Sequence, residues 1–497
     1  MAESFAGGDP LAALAASVPD RIGVTVGPDT SLSYGALDRL AGAGARRLID
    51  LGITAGDHIA MALPPGLEAV RLVHVAHRAG CVLVPIDPRV TRHERARYLE
   101  RVEPTVLVTE PNCVDTIEET TDVTCLGTDR ILVDASISEH VAHTWAGADP
   151  FVILATSGTT GRPKAVVLTV DNIESSTRAS ADRLDSRPSD RWMSPLAVHH
   201  MGGLAPVYRA LYNGSRLVVP DEPGVDPARL GQLLQLTGST GLSIVPTILD
   251  RLLETQWTCP STLRTVLVGG GPIPASLIER AVTAAVPVCP TYGLTETASQ
   301  VATAIPDEAA TDPTTVGRPV RGAIVRLLDA DGDVVPTGSV GEIVVDGPMV
   351  SPGYLDEESA AFGPDGFQTG DLGTFDTAGR LSITGRCSDR IVTGGENVDP
   401  TEVESVLCEH DAVVAAAVVG ISDEYWGERV CAVIVVDDGL QIDHLNAHLV
   451  DYCRSRLRSF KVPKQIAVVD ELPRTASGTV DRPALRALVR DIDEDDC

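Results

Sequence analysis

The chain has 497 residues, 43% hydrophobic and 22% charged, which excludes a short disulfide scaffold, a fibrous architecture and wholesale disorder, and leaves room for one large domain plus a smaller one. Its 69 acidic side chains face only 40 Lys and Arg, and the formal net charge of −29 argues against a nucleic-acid partner. Only three lysines occur, Lys164, Lys461 and Lys464; an acidic, lysine-poor surface stays hydrated and dispersed in concentrated salt, which points to a high-salt cytoplasm.

Up to about residue 150, helical stretches alternate with short apolar runs: IAMAL (59–63), CVLVPI (81–86) and TVLVT (105–109). Further strand-like runs follow at 151–155, 216–219, 243–246, 265–268 and 286–289, each separated by helix-length segments, so a parallel or mixed sheet wrapped by helices is predicted. From about 316 the texture changes to short strands and Gly/Pro/Asp turns, predicting an antiparallel β subdomain. A compact α+β domain is placed at 388–497, after a larger domain at 1–387, and the acidic end DIDEDDC reads as a frayed tail.

Ten cysteines lie scattered with no CxxC pair, so a zinc site is not expected and the thiols read as buried residues of a reducing cytosol. The N-terminus lacks a basic segment followed by an apolar one, and no uninterrupted apolar stretch approaches 18 residues, so neither export nor membrane insertion is expected. Gly42-Ala43-Gly44 lies inside a helical pattern and is weak as a dinucleotide fingerprint. Oligomeric state, a homodimer included, stays open.

The sharpest local signal is Thr156-Ser157-Gly158-Thr159-Thr160-Gly161-Arg162-Pro163-Lys164, directly after the strand-like FVILA. Hydroxyls and glycines let backbone N–H and side-chain O–H groups surround a polyphosphate, and a terminal lysine adds a point charge. It is not a GxxxxGK[ST] loop. A flexible surface loop would have the same composition, but one of only three lysines in a lysine-avoiding chain stands here.

TSGTTGRPK, with Tyr292-Gly293-Leu294-Thr295-Glu296-Thr297, Thr369-Gly370-Asp371 and Gly385-Arg386-Cys387-Ser388-Asp389-Arg390, resembles the acyl-adenylate-forming superfamily of acyl-CoA synthetases, peptide-synthetase adenylation domains and luciferases, over about residues 10–485. The resemblance implies a two-step reaction: a carboxylate and Mg-ATP give an acyl-AMP and pyrophosphate, then a thiol, usually coenzyme A, displaces AMP. It implies that Thr295 holds the α-phosphate, Glu296 the Mg2+, Tyr292 and Gly293 the adenine beside Gly270 and Gly271, and Asp371 and Arg386 the ribose. It also implies a C-terminal domain that rotates about Ser388, with Gly394 and Gly395 facing the pantetheine arm. One departure stands out: where the superfamily reads PRTxSGK, this chain ends the motif in Thr479. Losing a cation aimed at the transition state costs on the order of 100-fold in analogous cases. Lys461, Lys464, Arg474 or Arg482 could substitute, slow adenylation could suffice, or the step could be lost.

The segment Pro195-Leu196-Ala197-Val198-His199-His200-Met201-Gly202-Gly203-Leu204, followed by Tyr208-Arg209 and by Glu296-Thr297-Ala298-Ser299-Gln300, is most similar to the o-succinylbenzoate-CoA ligases of menaquinone biosynthesis. That acid carries a second carboxylate, which wants a cation or water in the pocket. Arg209 is the candidate, with a helix-surface arginine as its ordinary reading; His200 and Ser299 complete the acyl pocket, with His199 behind. A ligase for another aromatic or medium-chain acid and a non-catalytic adenylate-binding protein remain alternatives, and a halophilic archaeal source fits the composition.

Overall fold

The computed structural model describes residues 7–118, 121–133, 142–156, 164–355, 357–389, 391–393, 396–398, 400–423, 426–436, 445–474 and 480–495. The chain divides into two compact units, one of residues 1–325, 344–368 and 379–381, the other of residues 326–343, 369–378 and 382–497. The division therefore threads through the β segment that follows residue 316.

In the first unit the alternating apolar runs become two helix-wrapped sheets. One runs in the order Gly353–Tyr354, Lys164–Thr169, Pro150–Thr156, Val82–Pro85, His58–Ala62, Val106–Thr109, Cys125–Gly127. Its centre is parallel and its Lys164 side antiparallel. Val82–Pro85 and Val106–Thr109 are buried at every position, as a strand covered on both faces requires. The other sheet runs Thr315–Pro319, Ser299–Thr303, Val288–Leu294, Thr265–Val268, Gly241–Ile244, Arg191–Met193, Arg216–Val219, Ile22–Val26, Thr30–Ser33. The expected strand at 243–246 stops at Ile244, because Val245 caps and Pro246 opens the helix Pro246–Glu254; a proline fits the first helical turn but not a central strand. The strand expected at 286–289 begins at Val288 and continues to Leu294.

Helix starts follow local chemistry. Thr169 and Asn172 form a reciprocal cap on Val170–Arg183, and Thr91 with Glu94 does the same for Arg92–Val102. The Gly42-Ala43-Gly44 fragment lies within the helix Tyr34–Asp50, where a Cβ on Gly44 would meet Val75 Cγ2 at 2.5 Å. That glycine serves close packing against the helix Leu67–Arg78.

In the second unit the apolar run AVVAAAVVG is covered on both faces. Val418, Val430, Ala432 and Ile434 pack with Val403, Leu407 and Leu449 on one side; Ala417, Val419, Cys431 and Val433 pack with Leu485 and Val489 on the other. Period-two alternation sends neighbours to opposite helical layers, which is why the run reads as continuously hydrophobic. Among the described residues no helix is long and apolar enough to cross a membrane, and the described cysteines are free thiols.

Candidate active site

Strands Pro150–Thr156 and Lys164–Thr169 pair antiparallel, with Thr156 opposite Lys164. Ser157, Gly158, Thr159, Thr160 and Gly161 lie outside the described residues; the strand ends that frame them do not. Lys164 Nζ sits 4.5 Å from the ring centroid of Tyr354 and 3.7 Å from Glu357 Oε1. Glu357 Oε2 in turn accepts from Arg101 Nη2 at 2.9 Å.

The Tyr292–Ser299 segment is a hairpin built around a tight turn. Val288–Leu294 and Ser299–Thr303 pair antiparallel with an irregularity between Tyr292 and Gly293, and Thr295–Thr297 form a single 3-10 turn between them. A side chain at Gly293 is impossible in this geometry, since a Cβ there would lie 1.8 Å from Ser299 O. The return strand starts under backbone strain, with Ala298 at φ +52° and Ser299 at φ +128°. Non-glycine residues rarely hold such angles unless the surroundings impose them, and such positions gather at functional sites. Thr297, fully buried, holds the turn through its hydroxyl, which donates to Leu294 O at 3.0 Å and accepts from Leu294 N at 3.1 Å. Thr295 and Tyr292 are half-buried, whereas Glu296 is 8% exposed and accepts from the Tyr354 hydroxyl at 3.1 Å.

The Gly269-Gly270-Gly271 turn lies against the same strand. A Cβ on Gly269 would meet Thr291 Cγ2 at 2.6 Å, Gly270 has φ +80°, and nothing stands within 4 Å of where a Gly271 Cβ would be. The triplet thus leaves open space next to the residue preceding Tyr292, room that a flat ring requires.

Arg209 is not a surface arginine. It projects from the helix Met201–Asn213 into the protein and is 6% exposed. Its Nη1 donates to Ser180 Oγ at 3.1 Å and Gln300 Oε1 at 3.3 Å, its Nη2 to Ser243 Oγ at 3.1 Å, and the guanidinium lies 4.8 Å over the Trp192 ring. Among the described residues it has no carboxylate partner, and burial lowers its pKa to about 10. A buried cation held only by neutral groups is costly, and an anion that reaches it recovers much of that cost. Gln300 ties Arg209 to the strand that Ser299 opens.

The two histidines differ in burial. His200, expected in the acyl pocket, is exposed at the N-terminus of the helix Met201–Asn213, and His199 is the buried one. Neither ring nitrogen of His199 has a hydrogen-bond partner among the described residues, although Asp87 Oδ2 is 3.5 Å from Nε2. Burial, then the charge of His200, bring its pKa down to about 4, so it is a neutral ring near pH 7.

In the second unit Asp371 and Arg386 form an ion pair, Arg386 Nε to Asp371 Oδ1 at 2.6 Å. Asp371 is 5% exposed, its N–H donates to Thr369 Oγ1 at 3.1 Å, and Gly370 between them, within the strand Gly366–Phe375, has φ +72°. The backbone of Ser388 lies in the short turn Cys387–Asp389; its side chain, Gly394, Gly395 and Thr479 lie outside the described residues. Arg474 and Val480 bridge antiparallel across the undescribed 475–479. Of the cations considered for the absent lysine, Lys461 is paired with Glu402, and Arg482 is held by Asp389 Oδ2 at 2.9 Å and Glu404 Oε1 at 3.1 Å. Lys464 is exposed, its ammonium 5.6 Å from the Trp426 ring.

Two family models match the chain, the AMP-binding enzyme over residues 11–355 and the AMP-binding enzyme C-terminal domain over residues 402–479. The chain belongs to the AMP-binding enzyme family. Relatives in this family include the 2-succinylbenzoate--CoA ligase of Bacillus mycoides, 34% identical over 479 residues that span 95% of this chain and 97% of the relative. That of Bacillus cytotoxicus is 35% identical over 478 residues, with the same coverage. Among solved structures, the o-succinylbenzoate CoA synthetase of Bacillus subtilis in complex with its acyl-adenylate intermediate matches with TM-score 0.89 at 32% identity, covering 96% of this chain and 98% of that one. ATP-bound MatB from Rhodopseudomonas palustris matches with TM-score 0.89 at 31% identity, covering 97% and 99%. A Bacillus subtilis synthetase structure containing ATP and a magnesium ion matches at TM-score 0.88.

The donor set suits magnesium brought by a nucleotide. Among the described residues no group of three or more His, Cys, Asp or Glu could cage a metal, whereas Glu296 carries a buried carboxylate in the turn that Thr295 opens. Mg2+ characteristically takes one or two carboxylates and draws its other ligands from phosphate and water.

Sequence reasoning missed Tyr354, Glu357 and Arg101, the groups around Lys164. Their signal was weak: Gly353-Tyr354 follows Ser351-Pro352 in a turn-rich stretch, and only the tertiary fold brings it beside strand Lys164–Thr169.

Proposed function

We propose that the protein is a cytoplasmic AMP-forming acid-CoA ligase of menaquinone biosynthesis that converts 2-succinylbenzoate to 2-succinylbenzoyl-CoA, adapted to high salt. The observation that carries this reading is Arg209, a buried guanidinium with neutral partners only, on the helix that follows His199-His200 and bonded to Gln300 beside Ser299. A substrate with two carboxylates leaves one for such a cation while the other reacts. The identity shared with 2-succinylbenzoate--CoA ligases along nearly the whole chain supports the same acid.

In the first step a carboxylate oxygen of the acid attacks the α-phosphorus of ATP and pyrophosphate leaves; in the second the coenzyme A sulfur attacks the acyl carbon and AMP leaves. Carboxylates are poor acyl donors, so positioning and charge stabilisation at phosphorus dominate the protein's task. Thr156 to Gly161 and Lys164 would hold the β- and γ-phosphates, Thr295 the α-phosphate, and Glu296 the magnesium. Magnesium, when bound, neutralises charge on the phosphate oxygens. Tyr292 and Gly293, with Gly270 and Gly271, would receive the adenine; the buried Asp371, oriented by Arg386, would accept from the ribose hydroxyls. Arg209, Ser299, His200 and the neutral His199 would shape the acyl site. Rotation about Ser388, between domains 1–387 and 388–497, would then bring Gly394 and Gly395 to the pantetheine arm. A small-molecule acid, ATP and coenzyme A are the partners of this reading.

Acid-dependent pyrophosphate release tests it, with 2-succinylbenzoate, benzoate, a medium-chain fatty acid and acetate compared in molar KCl. Release with 2-succinylbenzoate alone is expected. Release with a monocarboxylate instead would move the specificity, and ATP binding with no release from any acid would favour the second reading, a non-catalytic adenylate binder that has lost the step with Thr479.

A further inference from the structure

Residues 348–354 tie together the two halves of the proposed nucleotide site. Asn172 Nδ2 donates to Pro348 O at 2.9 Å and Val350 O at 2.8 Å, Ser351 N donates to Glu296 O at 2.8 Å, and Ser351 Oγ donates to Val167 O at 2.6 Å. Tyr354 then pairs with Val166 in strand Lys164–Thr169, and Leu355 N donates to Ala165 O at 2.8 Å. The backbone of this segment is thus fixed on one side to the turn that carries Glu296 and on the other to the strand that begins with Lys164.

The side chain of Tyr354 repeats that bridge. Its hydroxyl reaches Glu296 Oε1 at 3.1 Å, its ring face takes the Lys164 ammonium at 4.5 Å, and Phe362 packs edge-on against the ring at a centroid distance of 5.3 Å. We propose that Tyr354 is a positioning residue for the adenylation step, fixing the Glu296 carboxylate through its hydroxyl and the Lys164 ammonium through its ring. The inference rests on the magnesium and phosphate roles proposed above for those two residues. A phenol keeps its proton at neutral pH and a carboxylate only accepts, so the Tyr354 hydroxyl is the donor to Glu296 Oε1 at 3.1 Å. The carboxylate is thereby held in one orientation, as outer groups orient metal ligands in other sites. The ring does the same for Lys164: a cation over an aromatic face is held without a competing anion bonded tightly to it, which leaves the charge available to phosphate. Glu357, at 3.7 Å from Nζ, is shared with Arg101 at 2.9 Å and so competes weakly.

The two functions separate by substitution. Tyr354→Phe removes the hydroxyl and keeps the ring; Tyr354→Leu removes both. Mn2+ binding to the ATP complex, followed by electron paramagnetic resonance, reads the carboxylate directly, and the KM for ATP at saturating Mg2+ reads the lysine. Tyr354→Phe is expected to weaken Mn2+ binding about 10-fold, the loss typical of removing an outer-shell partner, with KM for ATP within about twofold and melting temperature nearly unchanged. Tyr354→Leu is expected to show the same metal defect plus a KM for ATP raised several-fold. Mn2+ affinity equal to wild type in Tyr354→Phe would overturn the hydroxyl's role, and an unchanged KM for ATP in a folded Tyr354→Leu would overturn the ring's. Because Mn2+ binding is read apart from turnover, a wild-type protein that binds Mn-ATP but releases no pyrophosphate would refute the ligase reading and leave the test of the hydroxyl standing.

Discussion

In the proposed reaction a single side chain, Arg209, bears on which acid is used. Its guanidinium is buried among Ser180, Ser243, Gln300 and Trp192 with no carboxylate among the described residues, so its removal deletes the only cation found there. Charge-assisted hydrogen bonds of this kind contribute about 1.5–3 kcal/mol, so Arg209→Met is expected to raise the KM for 2-succinylbenzoate by about 10–100-fold. The KM for ATP should move little, and steady-state kinetics on protein with an unchanged melting temperature makes the check. Loss of both substrates in equal measure would instead mark Arg209 as a core residue. The sequence pointed to Arg209 through a resemblance, but not to its burial or to the exposure of His200. Both histidines precede the helix Met201–Asn213, and which of them is covered depends on how the approach to its first turn packs.

At the scale of elements, most strands of both units were legible, because a sheet covered by helices writes each strand as an apolar run. Thr265–Val268 and Arg216–Val219 lie where TVLV and RLVV stand. Failures have local causes: Pro246 turned the end of one run into a helix start, and Lys164–Thr169 was hidden behind a loop motif. The hairpin around Thr295–Thr297 was read as a motif but not as strained backbone, since φ at Ala298 and Ser299 depends on the pairing of Leu294 with Ser299. That hairpin gives a sharp test. Gly293→Ala would place a Cβ 1.8 Å from Ser299 O, an overlap with rigid backbone that can be relieved only by opening the turn. A destabilisation of about 3 kcal/mol and loss of pyrophosphate release are expected, measured by denaturant unfolding and by the adenylation assay. Wild-type stability in this variant would contradict the hairpin geometry.

For the whole molecule, pH acts on the folded core before it acts on the chemistry. His74 is buried and His77 half-buried, and desolvation first, then neighbouring charge, lowers their pKa values from 6.5 to about 4 and about 3. His77 stacks on Phe151 at 3.6 Å and meets the Tyr208 hydroxyl at 2.8 Å, so the neutral ring is built into the core. The unfolded chain takes up protons on these rings near pH 6.5 and the folded one does not. Their contribution to stability is therefore complete above that pH and is lost as pH falls towards 4, by about 1.4 kcal/mol per pH unit for each ring. Melting temperatures taken across that window in molar KCl should fall, and His77→Gln, although less stable at neutral pH, should show a shallower fall; equal slopes would remove His77 from the account. The net charge of −29 makes the salt essential to such experiments, since screening relieves the self-repulsion of so acidic a chain. The most direct measurement is the identification by mass spectrometry of the products formed from 2-succinylbenzoate, ATP, Mg2+ and coenzyme A in molar KCl. The expected result is 2-succinylbenzoyl-CoA with equimolar AMP and pyrophosphate; AMP without thioester, or thioester only from another acid, would contradict the assignment.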